Sequence, residues 1–140
     1  MSASVQPTDF PQAPEALPAL DTGIEGRVAA ALERWQSDVL GLSHAIHADP
    51  EPSGEEFRAA DRVSKLLKKA GFTFDAVQPE LPTSFSARFG SGELVVALCV
   101  EYDALPFIGH ACGHNVNAAS AVGAALGLAA VAGELGITVK

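Results

Sequence analysis

Leu94-Val-Val-Ala-Leu-Cys-Val100 contains no polar interruption and leads directly into Glu101-Tyr-Asp-Ala-Leu-Pro-Phe-Ile-Gly-His-Ala-Cys-Gly-His-Asn115. The first stretch reads as a β-strand, and its continuous apolar character suits a strand buried on both faces. The second stretch places two carboxylates, two histidines and one thiol within fifteen residues. An Ala- and Gly-rich helical pattern follows, from Val116 to Leu135. Loops that leave a strand are where α/β proteins put their chemistry. Thiolate, imidazole and carboxylate together are the donor set of a Zn-like divalent site. The stretch therefore points to metal-dependent hydrolysis.

Upstream, Ile24, Val28, Leu32, Trp35, Val39, Leu42 and Ile46 recur every three or four residues, which predicts one amphipathic helix over 24–47. Asp49-Pro50 stops it. Ser53 and Glu56 have the spacing of a capping box for a second helix. That helix reaches about Ala70, with Phe57, Ala60, Val63, Leu67 and Ala70 inward and Gly71 as its stop. Extended segments follow at 73–77 and 84–89, the latter with Phe85, Ala87 and Phe89 on one face. Ser91-Gly92 reads as a turn, making a hairpin between 84–89 and 94–100. Gly136-Ile-Thr-Val-Lys140 reads as a helix stop and the beginning of a strand. This order of elements suits an α/β sandwich with a mixed sheet. Residues 1–20 carry Pro7, Pro11, Pro14 and Pro18 and read as a disordered leader, leaving 21–140 as the folded part.

The 140-residue chain is the size of one domain, and 48% hydrophobic residues can form a core. A net charge of −8 argues against nucleic acid as a partner. Lys65, Lys68 and Lys69 read as a solvated helix face. The Val116–Leu135 run is dominated by Ala, which contributes little transfer free energy, so a buried helix is expected and no membrane span. Within it, Gly123 and Gly127 suit close helix–sheet packing. Two cysteines make no disulfide framework, Cys99 reads as a plain core residue, and a cytoplasmic location is the default.

From the residues alone, Cys112 and His114 are the first candidates for metal ligation, because Gly113 between them permits a tight turn that can aim both at one ion. The structural alternative is a buried Cys beside a hydrogen-bonded His. Glu101 and Asp103 either serve the same site or cap a turn after the strand. His110 either contacts substrate or makes a structural hydrogen bond. His44 and His47 sit near a helix end and read as structural or capping.

Glu101-Tyr-Asp-Ala-Leu-Pro106 followed by Gly109-His-Ala-Cys-Gly-His-Asn115 resembles the M20 metallopeptidase/amidohydrolase family, in its aminoacylase-like and aminobenzoyl-glutamate-hydrolase-like branch. Upstream, His47-Ala-Asp-Pro-Glu51 with Gly54-Glu-Glu-Phe57 is similar to the family's His-x-x-Pro-Glu and Glu-Glu-Phe segment. Thr83-Ser-Phe85 with Arg88-Phe-Gly90 is similar to its Thr-x-Phe and Phe-Gly strand. The similarity runs in order over roughly residues 24 to 136.

The resemblance implies a three-layer α/β sandwich with a mixed sheet, like a zinc-peptidase catalytic domain, incomplete at its C-terminal end. It implies a divalent metal, Zn or Mn, with one or two ions per complete site. The implied substrate is a small-molecule amide, an N-acyl amino acid or a dipeptide-like compound, and the full-length form is expected to be a homodimer. The matching positions make Cys112 and His114 ligands and make Asp103 the carboxylate that orients a ligand. Glu101 stands where many members carry a ligand His. His110 matches a His of the motif, and Phe107 stands where relatives usually carry Gly.

The family's general-base Glu and its remaining ligands are expected beyond Lys140. On that reading no catalytic residue lies in this chain, which is an inactive N-terminal fragment. Two further classes remain: a thiol hydrolase with Cys112 as nucleophile and His110 or His114 as base, and a non-catalytic remnant or interaction module. A dinucleotide-binding domain is disfavoured by the absence of a Gly-x-Gly-x-x-Gly after a strand.

Overall fold

A computed structural model describes residues 22–75 and 79–140. The expected leader, residues 1–20, lies outside the described residues, as does the end of the segment expected to be extended at 73–77.

Helix α1 spans Thr22–His47. Its apolar stripe falls as the spacing requires, but burial grows along it. Leu42 and Ile46 are buried, Trp35 and Val39 are partly buried, and Leu32 is exposed. Helix α2 spans Phe57–Lys69 and buries Ala59, Val63, Leu66 and Leu67. Two expectations fail here. Phe57 is exposed; the buried stripe starts at Ala59 and includes Val63 and Leu67 of the predicted set. The capping box is not formed, since the residue before the helix is Glu56 and its side chain caps nothing. The Glu51 carboxylate takes that role, accepting from the backbone N–H of Arg58 at 3.1 Å and of Ala59 at 2.8 Å. A negative group on the orphan amides of a first turn is favoured by both hydrogen bonding and the helix dipole. The other end closes as predicted. Gly71 N–H donates to Lys68 O and Phe72 N–H to Leu67 O, the paired bonds of a Schellman stop.

Among the described residues four strands follow: β1 Thr73–Phe74, β2 Ala87–Gly90, β3 Leu94–Val96 and β4 Ile137–Val139. Between β3 and β4 run α3, His114–Ala129, and the short α4, Ala132–Leu135. The sheet order is β1-β2-β4-β3. β1 with β2 and β2 with β4 are antiparallel, whereas β3 with β4 is parallel. The fold is α/β with a mixed sheet.

The expected hairpin of β2 and β3 does not form, because β4 lies between them. Ser91-Gly92 passes close to the start of β4 instead. A Cβ built on Gly92 would lie 1.7 Å from the Gly136 carbonyl oxygen, and the Gly92 carbonyl accepts from Thr138 Oγ1 at 2.7 Å. Only a residue without a side chain permits that approach.

The 94–100 run is not buried on both faces. Val96, Leu98 and Val100 pack on the core, while Leu94, Val95, Ala97 and Cys99 are exposed. Cys99 is therefore a surface thiol and not a core residue. An apolar run without alternation predicts cover on both sides, and the described residues cover one.

The core gathers Leu42 and Ile46 of α1, Val63 and Leu67 of α2, Val122 and Leu126 of α3, and Ile137 and Val139 of β4. Gly123 and Gly127 serve close packing, but against α1 and not the sheet. Their built Cβ atoms would lie 3.7 Å from Val39 Cγ1 and 3.3 Å from Val28 Cγ1, respectively. Ala and Gly on α3 let the two helix axes approach. No helix among the described residues is long and apolar enough to cross a membrane. The lysines of α2 lie on a solvated face, with Lys65 paired to Asp61 at 2.6 Å and Lys69 to Asp38 at 2.9 Å.

Candidate metal site

The loop from Glu101 to Gly113 joins the end of the β3 run to α3, and two anchors shape it. Ala104 N–H donates to Glu51 O at 2.8 Å, and Pro52 and Ala104 form a parallel bridge. The segment before α2 therefore holds the loop from one side. On the other side Asn115 is buried, and its amide donates to Ser43 Oγ of α1 at 3.0 Å. Neither anchor was evident in the sequence, because each partner is remote along the chain. The signal that could have flagged Asn115 is an amide at the start of an otherwise Ala-rich helix, where burial demands a partner.

Leu105–Gly109 forms a tight excursion, with Leu105 N–H donating to Gly109 O at 2.9 Å and Gly109 N–H to Leu105 O at 3.0 Å. Its tip is Phe107, fully exposed at 108% and held at φ +66°. Bulky residues adopt this left-handed region at a cost of about 1–2 kcal/mol. The conformation explains why Gly suits this position.

Gly113 precedes α3 at φ +78°, the tight turn expected between Cys112 and His114. His114 is the first helical residue. Its Nδ1 lies 2.7 Å from Asp103 Oδ1 and 3.1 Å from Asp103 O. An ionised carboxylate only accepts, so Nδ1 carries the proton and donates to Asp103. In the neutral imidazole Nε2 then keeps its lone pair. Glu101 Oε2 lies 3.7 Å from that Nε2 and accepts from Asn117 Nδ2 at 2.8 Å. The structure thus brings His114, Asp103 and Glu101 together. A carboxylate behind one ring nitrogen and a free lone pair on the other is how metal-bound histidines are oriented.

Cys112 presents a free, exposed thiol. No hydrogen bond joins it to His110 or His114 among the described residues. The nucleophile–base contact of a thiol hydrolase is therefore not formed here.

His110 is 8% exposed, and its ring stacks on that of His47 with centroids 6.2 Å apart. Neither ring nitrogen makes a hydrogen bond of ordinary geometry. Burial pushes its pKa down; the nearby Ile46 carbonyl opposes this, His47 and His114 add to it, and Asp103 opposes it. His47 thus acts as a packing partner for a site-loop residue.

Tyr102 donates its hydroxyl to the Thr83 carbonyl. Burial, with the Glu56 carboxylate adding to it, pushes its pKa up to about 12.

The donor chemistry fits a divalent cation in part. Among the described residues no group of three or more His, Cys, Asp or Glu side chains is placed to hold a metal ion. A protein Zn site takes at least three protein ligands.

No protein-family model matches the chain. It is 39% identical over 117 residues to a Mus musculus Xaa-Arg dipeptidase, covering 76% of this chain and 27% of that protein. It is 33% identical over 113 residues to a p-aminobenzoyl-glutamate hydrolase polypeptide of Escherichia coli (strain K12), covering 69% and 24%. Its fold matches the crystal structure of the Bacillus subtilis YXEP protein, described as a dinuclear metal binding peptidase from the M20 family. That match has a TM-score of 0.65 and 27% identity, and covers 79% of this chain and 34% of the other.

The chain carries part of an M20-like peptidase/amidohydrolase fold. It spans about a quarter of the length of the curated relatives it matches. Within this M20-like framework the Glu101–Gly113 loop lies between the parallel strands β3 and β4 and opens at the start of α3. That is the end of a parallel pair where α/β folds hold their ligands.

Proposed function

We propose that this chain contributes the Cys112–His114 half of a metal site that hydrolyses amide bonds. The observation that carries the reading is the 2.7 Å contact between Asp103 Oδ1 and His114 Nδ1, which leaves His114 Nε2 free to coordinate. Cys112 would supply a thiolate from the adjoining turn. Glu101 lies beside Nε2 and is a candidate further oxygen donor or water acceptor. Asp103 fixes the ring of His114 and its tautomer. Cys112 and His114 would hold a divalent ion, whose chemistry there would be to polarise a scissile carbonyl and acidify bound water.

The thiolate favours Zn, and Mn remains open on the carboxylate side. The dinuclear description of the Bacillus subtilis neighbour supports a second ion in a complete site. The names of the relatives, a dipeptidase and an aminobenzoyl-glutamate hydrolase, support N-acyl amino acids or small dipeptide-like amides as substrates. His110, beside His47 and close to Asp103, either contacts substrate or supports the loop. The general base and the remaining ligands lie outside these 140 residues on this reading, and so does the homodimer contact of the full-length form. The isolated chain is then inactive, and a cytoplasmic setting suits its two free thiols.

The test is Co²⁺ titration of purified 1–140, with amide hydrolysis assayed in parallel. A thiolate-to-metal absorption band that disappears in Cys112→Ser is expected, with no turnover. A band that survives Cys112→Ser, or no band in the unsubstituted chain, removes Cys112 from the site. Hydrolysis above blank that His114→Ala abolishes would overturn the inactivity.

A further inference from the structure

The turn that carries Cys112 and His114 is gripped on both sides by one turn of α1. After it, buried Asn115 donates its amide to Ser43 Oγ at 3.0 Å. Before it, the buried ring of His110 stacks on that of His47, with centroids 6.2 Å apart and planes inclined by 30°. That separation lies in the range of offset-stacked aromatic pairs. Ser43 and His47 are four positions apart in a helix that ends at His47, so their side chains share one face of its last turn. The backbone joins the same pieces, since Gly113 N–H donates to His110 O at 3.0 Å. A ring held in place at His110 therefore fixes the ligand turn through its own carbonyl.

Both ring nitrogens of His110 are buried, and neither makes a hydrogen bond of ordinary geometry. A buried imidazole that works by ligation or hydrogen bonding has at least one nitrogen engaged. Here the contact is made by the plane of the ring and not by its nitrogens. His47 is exposed and forms the outer plate of the pair.

We propose that the last turn of α1 is a two-point clamp on the ligand turn, in which Ser43 holds Asn115 by a hydrogen bond and His47 holds His110 by ring stacking alone. His110 is then a positioning residue for Cys112 and His114; it neither ligates a metal nor contacts substrate. The positioning role rests on the reading of Cys112 and His114 as ligands, whereas the stack rests on geometry alone.

The test compares His110→Phe, His110→Ala and His47→Ala in purified 1–140. Two quantities are read: Co²⁺ affinity from the thiolate-to-metal band, and hydrogen exchange at the Gly113 amide without metal. His110→Phe keeps a ring and removes both nitrogens. It is expected to hold Co²⁺ affinity within about threefold and to leave Gly113 exchange unchanged. His110→Ala and His47→Ala are each expected to weaken Co²⁺ binding about tenfold and to speed Gly113 exchange. The core amides of Val122 and Ile137 keep their protection in His47→Ala. Because His47 is exposed, its truncation tests the clamp even where His110→Ala unfolds the chain. If His110→Phe loses affinity as His110→Ala does, the ring acts through a nitrogen, with the Ile46 carbonyl as an adjacent acceptor, and the stacking is overturned. Unchanged affinity in His47→Ala overturns the clamp as well. If the unsubstituted chain shows no Cys112-dependent band, the ligand reading fails and the positioning role fails with it. Gly113 exchange then decides the stack alone, and equal rates in the unsubstituted chain and in His47→Ala overturn that too.

Discussion

Asp103 and His114 are eleven positions apart and meet only because the loop between them folds back on itself. Their chemistry was readable in the sequence as residue types, but their contact was not, since a distance between two loop residues depends on everything that anchors the loop. Asp103→Asn keeps the shape and removes the acceptor charge that fixes the His114 tautomer. Its effect on Zn²⁺ affinity, measured by competition with a chromogenic chelator, is expected to be a loss of about 10- to 100-fold. Glu51 is a second residue whose role the sequence hid. It lies six positions before α2 begins and still caps the helix. Glu51→Ala is expected to lower stability by about 1–2 kcal/mol in urea unfolding, whereas Ser53→Ala, at the position of the unformed capping box, should change it by less than about 0.5 kcal/mol. Phe107 combines a left-handed backbone with a fully exposed ring. Phe107→Gly relieves strain and loses no packing, offset in part by the greater freedom of Gly in the unfolded chain. Thermal unfolding is expected to stay level or shift by up to about 1 kcal/mol in favour of Gly.

At the scale of elements, the helices followed from periodicity, and the pairing of strands did not. The α1 stripe, the stop at Asp49-Pro50 and the closure at Gly71 depend on neighbours within one turn, so local sequence contains them. The β2–β3 hairpin failed because a strand more than forty residues downstream competes for the same edge, and turn chemistry carries no information about that competitor. Helix packing gives a sharp test. Gly127→Leu drives a side chain into Val28 and Leu32 and is expected to cost about 1–3 kcal/mol by overpacking, read from the urea midpoint. Besides its apolar packing on α1, α2 is tied electrostatically to the turn that follows α1. Asp49 accepts from Arg58 at 2.7 Å and from Arg62 at 2.6 Å. The hydrogen bonds from Arg58 and then Arg62 hold its pKa at about 2, below the ordinary 3.8. A depressed carboxylate stabilises the fold above its unfolded pKa and loses that stabilisation as pH falls through the folded one. Urea midpoints should therefore drop between about pH 4 and pH 2. Asp49→Asn should lower the midpoint at pH 6 and flatten its change across that window.

At the scale of the whole molecule, the described residues cover the sheet on one side. Val96, Leu98 and Val100 face the core, and Leu94, Val95 and Cys99 face out. Exposed apolar area of this kind promotes association. Val95→Thr is expected to raise the concentration at which 1–140 remains monomeric in analytical ultracentrifugation, with the unfolding midpoint within about 0.5 kcal/mol of the unsubstituted chain. The sequence by itself determined the α/β class, the helix α1, the stop of α2, the strand after Gly136 and the concentration of His, Cys and carboxylate chemistry in one loop. These are properties of residue type and of periods shorter than eight residues, set by backbone geometry and local burial. Tertiary structure decided that β4 separates β2 from β3, that Gly123 and Gly127 serve α1, that Glu51 caps α2, and that Asp103 and Glu101 lie on opposite nitrogens of His114. Each of those is a contact between segments distant along the chain or across a folded loop. Its energy comes from partners that no local window of sequence contains.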